Sequence, residues 1–113
     1  MPPDDRVRVL HMIEAADAAL GFVAGRQRTN LDSDTMMLFA LVRAIEVIGE
    51  AAGRVSAETR AVATSIPWSL IVAMRNRLIH AYFDIDRDIL WRTATEELPA
   101  LLPALHALIQ QDA

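Results

Sequence analysis

Apolar residues recur at three- and four-residue spacing through most of the chain, and that rhythm predicts helices. The first runs from about Asp5 to Ala24, with Asp4 or Asp5 as cap and Val9, Leu10, Ile13, Ala16, Leu20 and Val23 on its buried face. Gly25 ends it, and a polar loop follows. Asp32, Ser33 and Asp34 open a second helix that reaches about Val55. This one is unusual: Met36 to Val42 is an unbroken apolar run, continued by Ile45, Val47, Ile48, Ala51 and Ala52. A helix apolar over most of its circumference is covered on more than one side. A second subunit and the chain's own neighbouring helices are both possible covers. Ser56 caps a short third helix, from Ala57 to about Thr64. Pro67 fits the first position of a fourth, expected to reach Tyr82. Asp86 caps the fifth, which carries Ile89, Leu90, Leu98, Leu101, Leu102, Leu105 and Leu108. Pro99 and Pro103 lie inside it and predict a kink or break near Leu98.

This pattern gives an all-α, up-and-down bundle of four to five helices in a single domain spanning residues 1–113. Composition agrees: Ala and Leu dominate, 53% of residues are hydrophobic, and 4 Gly and 5 Pro leave few turns. With no cysteine, disulfides and thiolate metal sites are excluded. No apolar run approaches the about 18 residues of a membrane span, so the expectation is a cytoplasmic protein with no membrane partner. The net charge of −4 argues against broad nucleic-acid binding, but a local basic cleft remains compatible with it. All 11 basic residues are arginine, a pattern that a GC-rich genome explains as well as phosphate binding does.

Candidate chemistry concentrates between Met74 and Tyr82, where arginine, amide, histidine and phenol fall within one stretch of an apolar helix. On a helical wheel Arg75 sits in the middle of a stripe formed by Ile71, Val72, Leu78, Ile79 and Tyr82. A buried arginine needs an acidic partner or a cleft, and Glu46 and Glu50, spaced i,i+4 on the second helix, are the acidic candidates. Asn76 and His80, also i,i+4, lie together at the stripe's edge. Arg75 and His80 are about 140° apart on a continuous helix, so one straight helix does not aim them at a common point. Two copies meeting across a symmetry axis would let them share a cleft. Residue pattern alone leaves open a purely structural arginine and a chemical site, and favours the structural one. The chemical reading is metal-independent RNA cleavage: histidine moves protons near neutral pH, and arginine stabilises charge on a phosphoryl centre. His11 and His106 are isolated on amphipathic helices and are not candidates.

The stretch Arg75-Asn76-Arg77-Leu78-Ile79-His80-Ala81-Tyr82 resembles the Arg-x4-His-x-Tyr signature of the HepT-like branch of the HEPN superfamily. Ile48-Gly49-Glu50-Ala51-Ala52, Ile66-Pro67-Trp68 and Leu98-Pro99 extend the resemblance to about residues 5–110. Ala81 stands where many relatives carry glycine, a harmless change in a helix. The resemblance implies a HEPN-like homodimer with its active cleft at the two-fold axis, and a metal-independent endoribonuclease that needs no cofactor. It implies the toxin of a toxin–antitoxin pair, silenced when an MntA-like nucleotidyltransferase antitoxin transfers AMP from ATP to the signature tyrosine. By position, Arg75 and His80 would be catalytic, Asn76 and Arg77 supporting, and Tyr82 the AMPylated residue. The RNA substrate would be a tRNA or mRNA. The alternative is a non-catalytic HEPN module acting as partner or adaptor of the nucleotidyltransferase.

Overall fold

The computed structural model describes residues 1–81 and 84–112, and at positions 80 and 81 the backbone alone. Helix α1 (Pro3–Val23) presents Val9, Met12, Ile13, Ala16, Ala19 and Val23 to the core, whereas Leu10, expected on that face, is exposed and Leu20 is half-buried, their places taken by Met12 and Ala19. Its N-cap is Pro2, not an aspartate. Asp5 is instead 3% exposed and works across the fold: it accepts from Ser56 N–H (3.0 Å), Ser56 Oγ (2.5 Å) and Thr59 Oγ1 (2.6 Å). Burial pushes the Asp5 carboxyl up, but the hydrogen bonds from Ser56 and Thr59, with the nearby N-terminal ammonium, hold it below the ordinary carboxylate range. α1 ends at Gly25, whose φ of 71° is the left-handed conformation that glycine adopts without strain.

A short α2 (Asn30–Ser33), not expected from the sequence, precedes α3 (Thr35–Gly53), which is the expected second helix, opened by the last of its three candidate caps. Asp34 leaves helical geometry to cap α3, accepting from Met37 N–H at 3.0 Å while Arg26 holds its other oxygen at 2.8 Å. Neighbouring helices of the same chain cover α3 on two flanks, α1 on one and α5 (Trp68–Leu78) on the other. Gly49 lies at the second contact, where a Cβ would sit 3.4 Å from the Ile71 carbonyl oxygen, at ordinary van der Waals distance. One row of α3 stays outside the core: Met36, Phe39, Arg43 and Glu50 are exposed and Val47 is half-buried.

Between them, α4 (Ala57–Val62) is capped by Ser56, as its sequence suggests. Pro67 is the N-cap of α5, one position before the expected place. Trp68 anchors that end by donating Nε1–H to the Ala63 carbonyl at 3.0 Å, with the Arg60 guanidinium 5.9 Å from its ring centroid. The far end of α5 differs more. The helix stops at Leu78, four residues short of Tyr82, and Ile79 is extended (φ −114°, ψ 105°). A two-stranded antiparallel hairpin follows, β1 (Ile79–Ala81) paired with β2 (Asp84–Ile85). β-branched and aromatic residues crowd positions 79–85, which favours extended chain. Asp86 N–H closes the hairpin on the Leu78 carbonyl at 2.6 Å, satisfying a group that the helix end would leave bare.

Asp86 then caps α6 (Arg87–Arg92), accepting from Ile89 N–H at 3.0 Å. α6 passes through a π-helical turn (Thr93–Glu97) into α7 (Leu98–Gln111). The discontinuity expected near Leu98 is therefore this wide turn, placed just before Pro99. Thr93 and Thr95 return their hydroxyls to the Ile89 and Trp91 carbonyls at 2.8 and 2.7 Å. Leu98, Leu101, Leu102, Leu105 and Leu108 pack α7 into the core, against α1. The architecture is all-α and HEPN-like, with one short hairpin among the described residues.

Candidate active site

Helix α5 buries Trp68, Ile71, Met74 and Leu78. Met74 shifts the buried stripe away from where a stripe drawn through Val72 and Ile79 places it. Arg75 consequently lies on the flank of α5 with its side chain 52% exposed, not in the core. Its Nε faces Glu46 Oε2 on α3 at 3.4 Å, so the acidic partner is one of the two expected, but the pair is open to solvent. Glu50 instead lies 3.7 Å from Arg43.

Arg77 leaves the helix on another side. Its Nη1 reaches Glu97 Oε1 at 3.3 Å, while Glu97 Oε2 lies 2.9 Å from Thr93 Oγ1, whose single proton it shares with the Ile89 carbonyl. The π turn thus delivers a carboxylate to the second arginine of the signature. Within one chain the two arginines diverge, Arg75 toward α3 and Arg77 toward the π turn. Both occupy the last turn of α5, where positive charge complements the helix dipole. Asn76, between them, is exposed.

The backbone of His80 lies in β1, beyond the helix end. The separation of about 140° drawn between Arg75 and His80 assumed continuous helix, and so did the i,i+4 relation of Asn76 to His80. Neither applies, because the chain is extended from Ile79. The imidazole of His80 and all of Tyr82 lie outside the described residues. The polar stretch is therefore no interruption of a core helix. It straddles a junction, with exposed Arg75 and half-buried Arg77 on the last helical turn and the histidine on the strand that follows.

Sequence reading missed Thr93 and Glu97, although their i,i+4 spacing was a usable signal. His11 and His106 are both exposed on helices α1 and α7, apart from this junction. Among the described residues no three His, Cys, Asp or Glu side chains gather into a group that could hold a metal ion. No helix is long and apolar enough to cross a membrane.

Comparison with known proteins bears on the whole chain. A protein of Thermococcus cleftensis named "Probable ribonuclease HepT" is 41% identical over 68 residues, 60% of this chain and 62% of that protein. The matched stretch thus spans less than two thirds of that relative. A protein of Caldanaerobacter subterraneus subsp. tengcongensis named "Putative RNase" is 30% identical over 90% of this chain and 91% of its own length. Another of that name, from Methanocaldococcus jannaschii, is 31% identical over 87% and 90%. No solved structure matches the chain. Residues 12–108 match the family described as Ribonuclease HepT-like, and this span contains α3, α5, the helix-to-strand junction and the π turn. The chain belongs to the HepT-like ribonuclease family.

Proposed function

We propose that this protein is a metal-independent endoribonuclease, the toxin of a toxin–antitoxin pair, and that it cleaves RNA in a cleft shared by two copies. The observation that carries the reading is the junction at Leu78. It leaves Arg75 exposed on the final helical turn and starts β1 at the next residue, Ile79, with the His80 backbone following in that strand.

In the proposed reaction the ribose 2′-oxygen bonds to the adjacent phosphorus as the bond from phosphorus to the 5′-oxygen breaks. His80 takes the 2′-hydroxyl proton, and a proton is returned to the departing 5′-oxygen. Arg75 stabilises the charge on the phosphoryl oxygens, releasing Glu46 to do so. Asn76 and Arg77 support the site, Arg77 from its seat on Glu97. A two-fold arrangement would supply a histidine from each copy, one as base and one as acid.

Regulation follows from charge. Transfer of AMP to Tyr82 by a nucleotidyltransferase antitoxin places a bulky, negative phosphodiester at the junction, which blocks and repels the RNA backbone. The test is cleavage of a total tRNA and mRNA pool in the presence of a chelator. Wild-type protein should cut, and His80→Ala should not, while keeping its fold. Equal cutting by His80→Ala would remove the catalytic assignment. No cutting in any pool, with AMP transfer intact, would favour a non-catalytic adaptor of the nucleotidyltransferase.

A further inference from the structure

We propose that Glu97 is a positioning residue for the reaction above: held by the π turn, it braces the end of α5 through Arg77 and so fixes where the strand that carries His80 begins. The inference deepens that reading and rests on it, adding a residue that lies outside the signature.

Two routes lead from the last turn of α5 into α6. The first is the main chain. It passes through the hairpin and returns at Asp86, whose N–H donates to the Leu78 carbonyl at 2.6 Å and whose Oδ1 accepts from Ile89 N–H at 3.0 Å. The second is the side chain of Arg77. Its Nη1 lies 3.3 Å from Glu97 Oε1, Glu97 Oε2 lies 2.9 Å from Thr93 Oγ1, and Thr93 Oγ1 lies 2.8 Å from the Ile89 carbonyl. The routes join at Ile89, so the contacts close into a ring. Arg77 and Leu78 are adjacent in the chain, and the hairpin with the His80 backbone grows out of the ring beside them. Thr93 is fully buried, which anchors the ring in the core.

As a source of stability the Arg77–Glu97 pair is weak. Its side chains are 37% and 38% exposed, and an ion pair that open contributes little. Arg77 Nε is buried with no hydrogen-bond partner among the described residues, a cost that the pair has to offset. What the pair supplies is geometry. The last turn of α5 can rotate or fray only by breaking it, and such a motion carries the first residues of β1 along. In the proposed reaction Arg75 leaves Glu46 for the phosphoryl group. The Arg77–Glu97 contact is then the ion pair that still ties that turn to the rest of the chain among the described residues. A general base must lie within hydrogen-bond reach of the proton it takes, and misplacement by about 1 Å costs about a hundredfold in rate.

The test is steady-state cleavage of a labelled RNA by Glu97→Ala, Glu97→Asp and Glu97→Gln, each checked for wild-type helicity. Glutamine keeps both contacts, because its amide oxygen accepts from Arg77 and its amide nitrogen donates to Thr93 Oγ1, whose own proton then goes wholly to the Ile89 carbonyl. Aspartate keeps the charge and lacks the reach. In Glu97→Ala and Glu97→Asp kcat should fall about tenfold to a hundredfold with KM within about twofold, and Glu97→Gln should stay within about threefold of wild type. The double variant Arg77→Ala/Glu97→Ala should cut no more slowly than Arg77→Ala, since Glu97 acts through Arg77. Unchanged kcat in Glu97→Ala overturns the inference, as do a loss that appears in KM, an equal loss in Glu97→Gln, or additive losses in the double variant. Amide hydrogen exchange reads the brace without RNA. The Asp86 amide should exchange at least about tenfold faster in Glu97→Ala than in wild type, with the amides of α1 unchanged. Equal Asp86 exchange, or the same acceleration throughout α1, overturns the brace. Faster exchange confined to the hairpin, in a protein whose wild type cuts no RNA, leaves the brace standing while the ribonuclease reading falls.

Discussion

Replacing Arg75 with alanine separates a structural arginine from a catalytic one. The Arg75–Glu46 pair spans 3.4 Å, with side chains 52% and 27% exposed. Two unit charges at that distance attract by about 1 kcal/mol in water. Screening by salt and the entropy of holding a long side chain reduce this, so an open pair contributes about 0–1 kcal/mol. Arg75→Ala should therefore lower the melting temperature by no more than about 4 °C in a chain of this size. A buried arginine of the kind that the apolar stripe suggested would cost about 3–5 kcal/mol once its partner was stranded. Loss of a donor that stabilises phosphoryl charge lowers the rate by about 10²–10³-fold. The assay pairs a urea titration with single-turnover cleavage of a labelled RNA, for Arg75→Ala and Arg75→Lys. The expected result is near-wild-type stability with cleavage reduced at least a hundredfold in Arg75→Ala. Destabilisation above about 2 kcal/mol would refute the solvent-open pair. Unchanged cleavage would refute the catalytic role.

Asp5→Ala should destabilise by about 2–4 kcal/mol, read from urea midpoints, because it strands the Ser56 and Thr59 donors in a buried place. The lowered Asp5 value adds a pH dependence with a defined sign. Its stabilisation is complete above the ordinary value of 3.8 and disappears as pH falls through the lower folded value, so Asp5→Asn should flatten that acid limb. Gly25→Ala should cost about 1 kcal/mol in thermal unfolding, since φ there is 71°. Co-expression with the nucleotidyltransferase should add AMP-sized increments to the intact mass, and Tyr82→Phe should abolish them. Expression of the wild-type chain should arrest growth, and His80→Ala should relieve the arrest.

Helix content was legible because Val9 to Val23 and Leu98 to Leu108 keep one apolar phase throughout. Caps at Ser56 and Asp86 were legible for the same local reason. Asp34 was visible as a capping type, but three such residues in a row hid which one is the cap and that a short helical turn precedes it. The end of α5 was misplaced because the apolar pattern continues through Ile79 and Tyr82. Periodicity does not distinguish a last helical turn from the start of a strand when both are apolar. Omitting Met74 from the stripe rotated the wheel and buried Arg75 on paper. Asp5 looked like a cap because its partners, Ser56 and Thr59, are more than fifty positions away. The signature arginines were legible as a motif, but their divergence toward Glu46 and Glu97 is a tertiary fact.

The π turn at Thr93–Glu97 constrains how this chain can change length. A π turn holds one residue more than an α-helical path through the same space would need. Removing any single residue from it should restore a regular ladder and raise local helical order. Because the wide turn absorbs that residue, α6 and α7 would keep their relative phase, and α7 its leucines on α1. What the deletion removes is the local geometry that seats Glu97 between Thr93 and Arg77. A one-residue deletion here should thus yield a more regular helix that no longer holds the second signature arginine in place.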